Sequence, residues 1–328
     1  MLTPKSILED AWCFMKSRVL FTAAELDIFT KLAGFHYTAA EMAQDGGWDQ
    51  RATTRLLDCL AALGLLSKDG GRYRLAAGSE TLASTHPATI LPMILHLNHI
   101  WRNWSNLSDV IRDGKNNNLK KLGDWGGEVQ EAFIGAMHVI GRELAEDIAA
   151  SYDASPFQRL LDIGGASGTY TMAFLRRQPQ MRAVIFDFAP VLTLAKQRLS
   201  AEGFLDRVEL AAGDFYTDEL PGGCDLALLS AIIHQNSPAQ NVELYQKIHG
   251  ALLPGGAVLI RDHIMDETRT QPPAGAMFAL NMLVNTTAGD TYTLAEVQEQ
   301  LQAAGFTEVR LLRTGERMDC LVEARKPR

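Results

Sequence analysis

From residue 157 onward, short aliphatic or β-branched runs alternate with stretches of helical periodicity: "RLLDIGG", "RAVIFDF", "RVELAAGD", "CDLALLSAI" and "GAVLIRDHI". Runs that stay apolar along their length, each parted from the next by a helix, fit a mostly parallel sheet covered on both faces. Two further runs, "EVRLLRT" and "CLVEARK", are separated only by "GERMD", too short for a crossover helix. They must pair as an antiparallel hairpin. The reading over residues 151–328 is an α/β fold, a Rossmann-like doubly wound sheet closed by a C-terminal antiparallel hairpin.

Residues 8–100 follow a different rhythm, with apolar residues at three- and four-residue spacing. Within them "YTAAEMAQDGGWDQRATTRLLDCLAALGLLSKDGGRYRLA" reads as helix, turn, helix and a short hairpin whose tip is Asp69-Gly70-Gly71. That is the outline of a winged helix. A DNA reader of this type is basic on its recognition helix. Here residues 1–100 carry nine Lys and Arg against ten Asp and Glu, and Arg51 and Arg55 are offset by Asp49 and Asp58. The net charge of −8 points the same way, away from nucleic acid or an anionic membrane and toward a small ligand. Residues 1–100 are read as a mainly helical winged-helix dimerisation domain, because they carry more apolar helical faces than one small domain can bury. A homodimer is expected.

The N-terminal stretch mixes acids and bases through its apolar positions, so it reads neither as a signal peptide nor as a membrane span, and a cytoplasmic location is expected. Residues 101–150 read as a helical linker, with "KNNNLKKLGDWGG" as an exposed loop and "EVQEAFIGAMHVIGRELAEDIAASY" as one helix. Cys13, Cys59, Cys224 and Cys320 show no CxxC spacing and no neighbouring His pair. Neither a metal site nor a disulfide framework is expected.

In open α/β sheets ligands sit at the carboxyl ends of the strands. The first run ends in "LLDIGGASG", where Gly164, Gly165 and Gly168 let the backbone turn tightly beside a ligand before a helix starts at Thr169. The corner lacks both the G-x-G-x-x-G of dinucleotide sites and the G-K-[ST] ending of a P-loop. Acids recur at the next two strand ends, Asp187 and Asp214. A carboxylate at the second strand end can accept both ribose hydroxyls, and one at the third can sit beside an adenine amine. The ordered set of Asp162, Asp187 and Asp214 is more specific than any one of them.

With these motifs the chain resembles the class I S-adenosylmethionine-dependent methyltransferases, and more narrowly the small-molecule O-methyltransferases of the plant caffeate and acetylserotonin type. The resemblance covers nearly the whole chain: "LLDIGGASG", "FDFAP" with Phe188, "GDFY", "PGGAVLIRDHIMDE" and the terminal hairpin. It implies S-adenosylmethionine (SAM) as cofactor, S-adenosylhomocysteine (SAH) as its product, and a small aromatic or polycyclic hydroxyl compound as acceptor. It places Gly164 at the methionyl part, Asp187 at the ribose, Asp214 and Phe215 at the adenine, and Ser230 at the cofactor's border. Ala166 stands where many relatives have a third glycine, a change expected only to trim space.

By the same resemblance His234 in "LLSAIIHQNSP" is the general base and Asp262 the acid that orients it. Gln235 and Asn236 replace the family's Asp and Trp after the histidine, and Thr291 stands where plant relatives carry a second acid. Phe278, Asn281, Met282 and Asn285 recur on one face of the helix expected to roof the acceptor. Phe133, Met137 and His138 are candidates from the linker helix. Two other readings come with this frame: a methyltransferase fold that uses SAM for decarboxylation or hydroxylation, and a SAM-sensing winged-helix regulator.

Overall fold

The structure is a computed structural model that describes residues 2–119 and 127–328, except the side chains of residues 127–133 and 140. It divides into two compact units, one running to Arg102 and including residues 127–139, the other comprising the segment from Asn103 and the chain from Ile140 to Arg328.

The first unit contains α1 (Pro4–Glu25), α2 (Ile28–Lys31), β1 (Tyr37–Thr38), α3 (Ala39–Gly46), α4 (Gln50–Ala62), β2 (Leu66–Asp69), β3 (Arg72–Leu75) and most of α5 (Leu91–Trp104). Thr38 and Glu41 form a reciprocal capping box that starts α3, and the Asp49 carboxylate accepts from the Ala52 N–H to start α4. Gly70 and Gly71 both adopt positive φ, which lets the β2–β3 hairpin turn in two residues. Leu57 and Leu60 of α4 are fully buried with Met42 and Tyr73, each such side chain contributing about 1.5–3 kcal/mol. Asp58 accepts from Tyr73 Oη and Lys68 Nζ, both at 2.6 Å, and Arg72 pairs with Glu41. The one acid in the middle of α4, Asp58, is thus paired within the unit. By contrast, Leu8, Trp12 and Met15 of α1, spaced by four and three residues, are 57%, 65% and 53% exposed.

The second unit holds α6 (Leu107–Asp113), the end of α7 (Gly127–Ser151), β4 (Arg159–Ile163), α8 (Thr169–Arg177), β5 (Arg182–Asp187), α9 (Ala189–Ala201) and β6 (Val208–Ala212). It continues with β7 (Cys224–Ser230), α10 (Pro238–Ala251), β8 (Leu252–Asp262), β9 (Ile264–Met265), α11 (Pro273–Asn285), β10 (Tyr292–Thr293), α12 (Leu294–Ala303), β11 (Thr307–Arg313) and β12 (Cys320–Arg325). Its seven-stranded sheet has the order β11-β12-β8-β7-β4-β5-β6. The five central strands are parallel, while β12 pairs antiparallel with both β8 and β11, as the short "GERMD" connection requires. One apolar cluster covers each face, the first with α10 and α12, the second with α8, α9 and the end of α7.

Strand order reverses between β4 and β7, which lie side by side with Ile163 opposite Leu229. Gly164 and Ser230 are the next residues of each, so the glycine corner sits at the switch point where open sheets hold ligands. The expected exposed loop around residue 115 is corrected in part: Asn116 is buried and donates to the Val284 carbonyl at 2.8 Å, while residues 120–126 of that stretch lie outside the described residues. Among the described residues no helix is long and apolar enough to cross a membrane.

Candidate active site

The corner is built by backbone geometry that excludes side chains. Gly164 has φ +65°, its N–H donates to the Phe186 carbonyl at 2.8 Å, and a Cβ there would stand 2.7 Å from Ile232 Cδ1. A Cβ on Gly165 would meet the Asp162 carboxyl carbon at 2.7 Å. Gly168, at φ +76°, closes the turn by donating to the Gly165 carbonyl, and α8 begins at the next residue. Ala166 sits at φ +47°. A Cβ here therefore does more than trim space: it stands in the left-handed region, a strain of about 1–2 kcal/mol.

Asp162 lies beneath this turn, 1% exposed, and accepts from Thr171 Oγ1 of α8 at 2.6 Å. It therefore props the corner from below. Burial pushes its carboxyl up to about 6. An unfolded Asp titrates near 3.9, so between these values the folded protein holds more protons and loses stability as pH rises. Asp162→Asn removes this ionisation. Relative to wild type, the variant's unfolding free energy is expected to rise by up to about 3 kcal/mol between pH 4 and pH 7. Denaturant titrations at pH 4, 5.5 and 7 check this, and a pH-independent difference contradicts it.

At the end of β5, Asp187 is half-buried, with Oδ2 accepting from the Ala166 N–H at 2.8 Å and Oδ1 from the Phe188 N–H at 2.7 Å. Burial raises this carboxyl, and the two backbone donors offset part of the rise. Each oxygen keeps a second lone pair for a ligand hydroxyl. Phe188 is exposed just beyond. After β6, Asp214 Oδ1 accepts from the Tyr216 N–H at 2.9 Å, and the Phe215 ring reaches within 3.7 Å of where a Gly164 Cβ would stand.

Lys247 of α10 pins this turn by donating to the carbonyls of Phe215, Tyr216 and Asp218 at 3.0, 2.8 and 3.0 Å. Sequence reasoning missed it, because Glu243 four residues earlier makes Lys247 look like half of a surface ion pair. Ser230 Oγ accepts from Arg261 Nε at 2.8 Å. Arg261 also donates to the Met318 carbonyl and lies over the Tyr170 ring, a buried cation that its strand context did not signal.

His234 follows β7 in a single helical turn, and Asp262 ends the neighbouring β8. His234 Nδ1 lies 2.9 and 3.0 Å from the two Asp262 oxygens. Burial alone would raise Asp262, but the facing His234 imidazole, with Arg261 and the His263 N–H, holds its carboxyl below the usual range. A carboxylate only accepts, so Nδ1 is the donor in this pair, and in a neutral ring Nε2 is the nitrogen that can take a proton. Asp262 therefore reaches the histidine. Thr291 is buried and turned to the Gly275 carbonyl, while the Asp290 N–H holds the His234 carbonyl at 2.9 Å.

Phe278 of α11 stands edge-on to the His234 ring, 4.9 Å between centroids, and also touches the His263 ring. Met282 on the same helix is buried. Asn281 Oδ1 accepts from Trp104 Nε1 at 2.8 Å, and Asn285 Oδ1 accepts from Asn103 Nδ2 at 2.8 Å. Both amides that the sequence aimed at an acceptor thus bond to the end of α5 and stay half-buried. Met137 and His138 are half-buried in the first unit, and the Phe133 side chain lies outside the described residues. Among the described residues no group of three or more His, Cys, Asp or Glu could hold a metal ion.

Two families match the chain: an O-methyltransferase domain over residues 104–307 and an O-methyltransferase dimerisation domain over residues 8–85. The tetracenomycin polyketide synthesis 8-O-methyl transferase of Streptomyces glaucescens is 32% identical over 99% of this chain and 97% of its own length. A 3-hydroxy-5-methyl-1-naphthoate 3-O-methyltransferase of Streptomyces sahachiroi is 32% identical over 94% of this chain and 91% of its own. The crystal structure of human N-acetylserotonin methyltransferase in complex with SAM superposes with a TM-score of 0.83 at 27% identity, covering 100% and 99% of the two chains.

Proposed function

The chain belongs to the O-methyltransferase family, and from that premise we propose that it moves a methyl group from SAM to a hydroxyl of a small aromatic or polycyclic compound, with His234 as general base. SAM is the methyl donor of the family. The residues at the strand ends fit such a group. Asp187 keeps an acceptor lone pair on each oxygen, suited to a ribose, beside a corner where Gly164 and Gly165 let the backbone pass Ile232 and Asp162 too closely for any Cβ. Gly168 and Asp162 shape the corner, Phe188 follows the Asp187 carboxylate that would hold the ribose, and Asp214 with Phe215 would hold the adenine. Ser230 would border the cofactor.

Bound there, the sulfonium supplies an electrophilic methyl group. The chain's own part is alignment and proton removal. A phenol titrates near 10 and an unperturbed imidazole near 6.5, so full prior ionisation costs about 5 kcal/mol. His234 Nε2 takes the acceptor proton as the oxygen attacks, and Asp262, fixed on Nδ1, holds the ring and stabilises the imidazolium that forms. The observation that carries this reading is the contact of Nδ1 with both oxygens of the buried Asp262. Phe278 closes one side of the ring.

The test is incubation with methyl-labelled SAM and a panel of naphthols and polyhydroxylated polycyclic aromatics. Labelled aryl methyl ether and SAH are expected in equal amounts. SAH without an O-methyl product contradicts the reading, and carbon dioxide release or hydroxylation without SAH points to the non-methylating chemistry.

Homodimerisation through the first unit is part of the proposal, supported by the matched dimerisation domain and the exposed stripe on α1. Leu8→Asp with Trp12→Asp should convert the dimer to monomer in sedimentation, since central apolar side chains of an interface are worth about 2 kcal/mol or more each. An unchanged dimer rules out α1 as the interface.

A further inference from the structure

The departure "HQN" leaves Asn236 where the resembling family has Trp, and the structure gives that amide specific partners. Asn236 is fully buried. Its Oδ1 accepts from Tyr216 Oη at 2.5 Å, and its Nδ2 donates to Asn241 Oδ1 at 2.9 Å. Asn241, also fully buried on α10, donates through Nδ2 to the Ile233 carbonyl at 3.1 Å, on the residue before His234. The Asn236 carbonyl accepts from Tyr292 Oη. An unbroken chain of hydrogen bonds therefore runs from the Asp214–Asp218 turn to the turn that carries His234. An indole has one donor and no acceptor, so a Trp at this position could not join the Tyr216 hydroxyl to Asn241.

Both ends of the chain are held. Lys247 fastens the first turn through three carbonyls. The second is fixed by the Asp290 N–H on the His234 carbonyl and by Asp262 on the ring. Buried side-chain amides bonded through both oxygen and nitrogen have few alternative positions, so a shift of Tyr216 must be taken up along the chain or break it.

We propose that Tyr216, Asn236 and Asn241 are positioning residues that couple occupancy of the adenine-side turn to the placement of the His234 ring. The inference rests on the reading of Asp214 and Phe215 as cofactor contacts and of His234 as the base. Coupling of this kind is reciprocal: what binding does to the ring, the ring's placement does to binding. It gives the enzyme a base that settles into register when the methyl donor is in place.

The test uses full-length protein labelled with carbon-13 at histidine Cε1, with the His234 resonance assigned through His234→Gln. The spectrum is recorded without ligand and with saturating SAH. In wild type the His234 resonance moves on SAH binding. In Tyr216→Phe, which removes one hydroxyl from a largely exposed ring, the ligand-free resonance stays at its wild-type position and the response to SAH falls to less than about a third. Asn236→Ser gives the same loss, while Glu219→Gln on the nearby surface keeps the full response. A full response in Tyr216→Phe overturns the proposal, as does a still resonance in wild type that binds SAH. If wild type fails to bind SAH, the cofactor reading falls first and the coupling with it. Should Asn236→Ser not fold, Tyr216→Phe alone decides.

Discussion

His234→Gln is expected to lower turnover by about 10²–10⁴-fold, the range for loss of a general base. Glutamine keeps similar bulk and can still donate toward Asp262, but it offers no basic nitrogen to the acceptor. The contact of His234 Nδ1 with both Asp262 oxygens directs Nε2 away from the acid. SAM affinity should therefore stay within about threefold of wild type. Asp262→Asn should cost less, since its role is to orient the ring and to stabilise its charged form. A wild-type turnover in His234→Gln removes the residue from the chemistry.

Asp187→Ala should weaken SAH binding at least about tenfold, because a charged acceptor for hydroxyls contributes about 1.5–3 kcal/mol. The structure adds a second cost. Both carboxylate oxygens accept from backbone N–H groups, of Ala166 in the corner and of Phe188 at the start of α9. Truncation leaves these donors without a partner and frees a strained residue at φ +47° to relax. Asp187→Asn, which keeps one acceptor oxygen, should fall between wild type and Ala. Calorimetric titration reads all three, and unchanged affinity in Asp187→Ala takes the residue out of the binding site.

The sheet was legible because its five inner strands are mostly buried on both faces, so apolar runs and their separations carry the topology directly. The hairpin at "GERMD" followed from length alone. The glycine corner, Asp187 and Asp214 were legible as strand ends, since position after a run is a local property. The residues that escaped notice are defined by partners far away in the chain. Asn103, Trp104 and Asn116 meet Asn285, Asn281 and Val284 across 182, 177 and 168 residues, a pairing no local pattern encodes. Asp162 was legible as an acid at a strand end, but its place beneath the turn depends on Thr171 rising from α8. Ala166 is a further case: its identity was plain, whereas its φ is set by the path from β4 into α8.

Asn281 and Asn285 were expected at the acceptor because amides in a dry core are costly without partners. Both are half-buried, and each bonds to the segment ending α5.

The most direct measurement of the central claim is single-turnover methyl transfer by wild type and His234→Gln from pH 6 to pH 10, with a phenol titrating near 10 as acceptor. At pH 6 the acceptor is neutral and a base is needed, so the variant should trail wild type by about 10²-fold or more; at pH 10, where the phenol is largely ionised, the gap should narrow. A variant that matches wild type at pH 6 contradicts the assignment of His234 as the base.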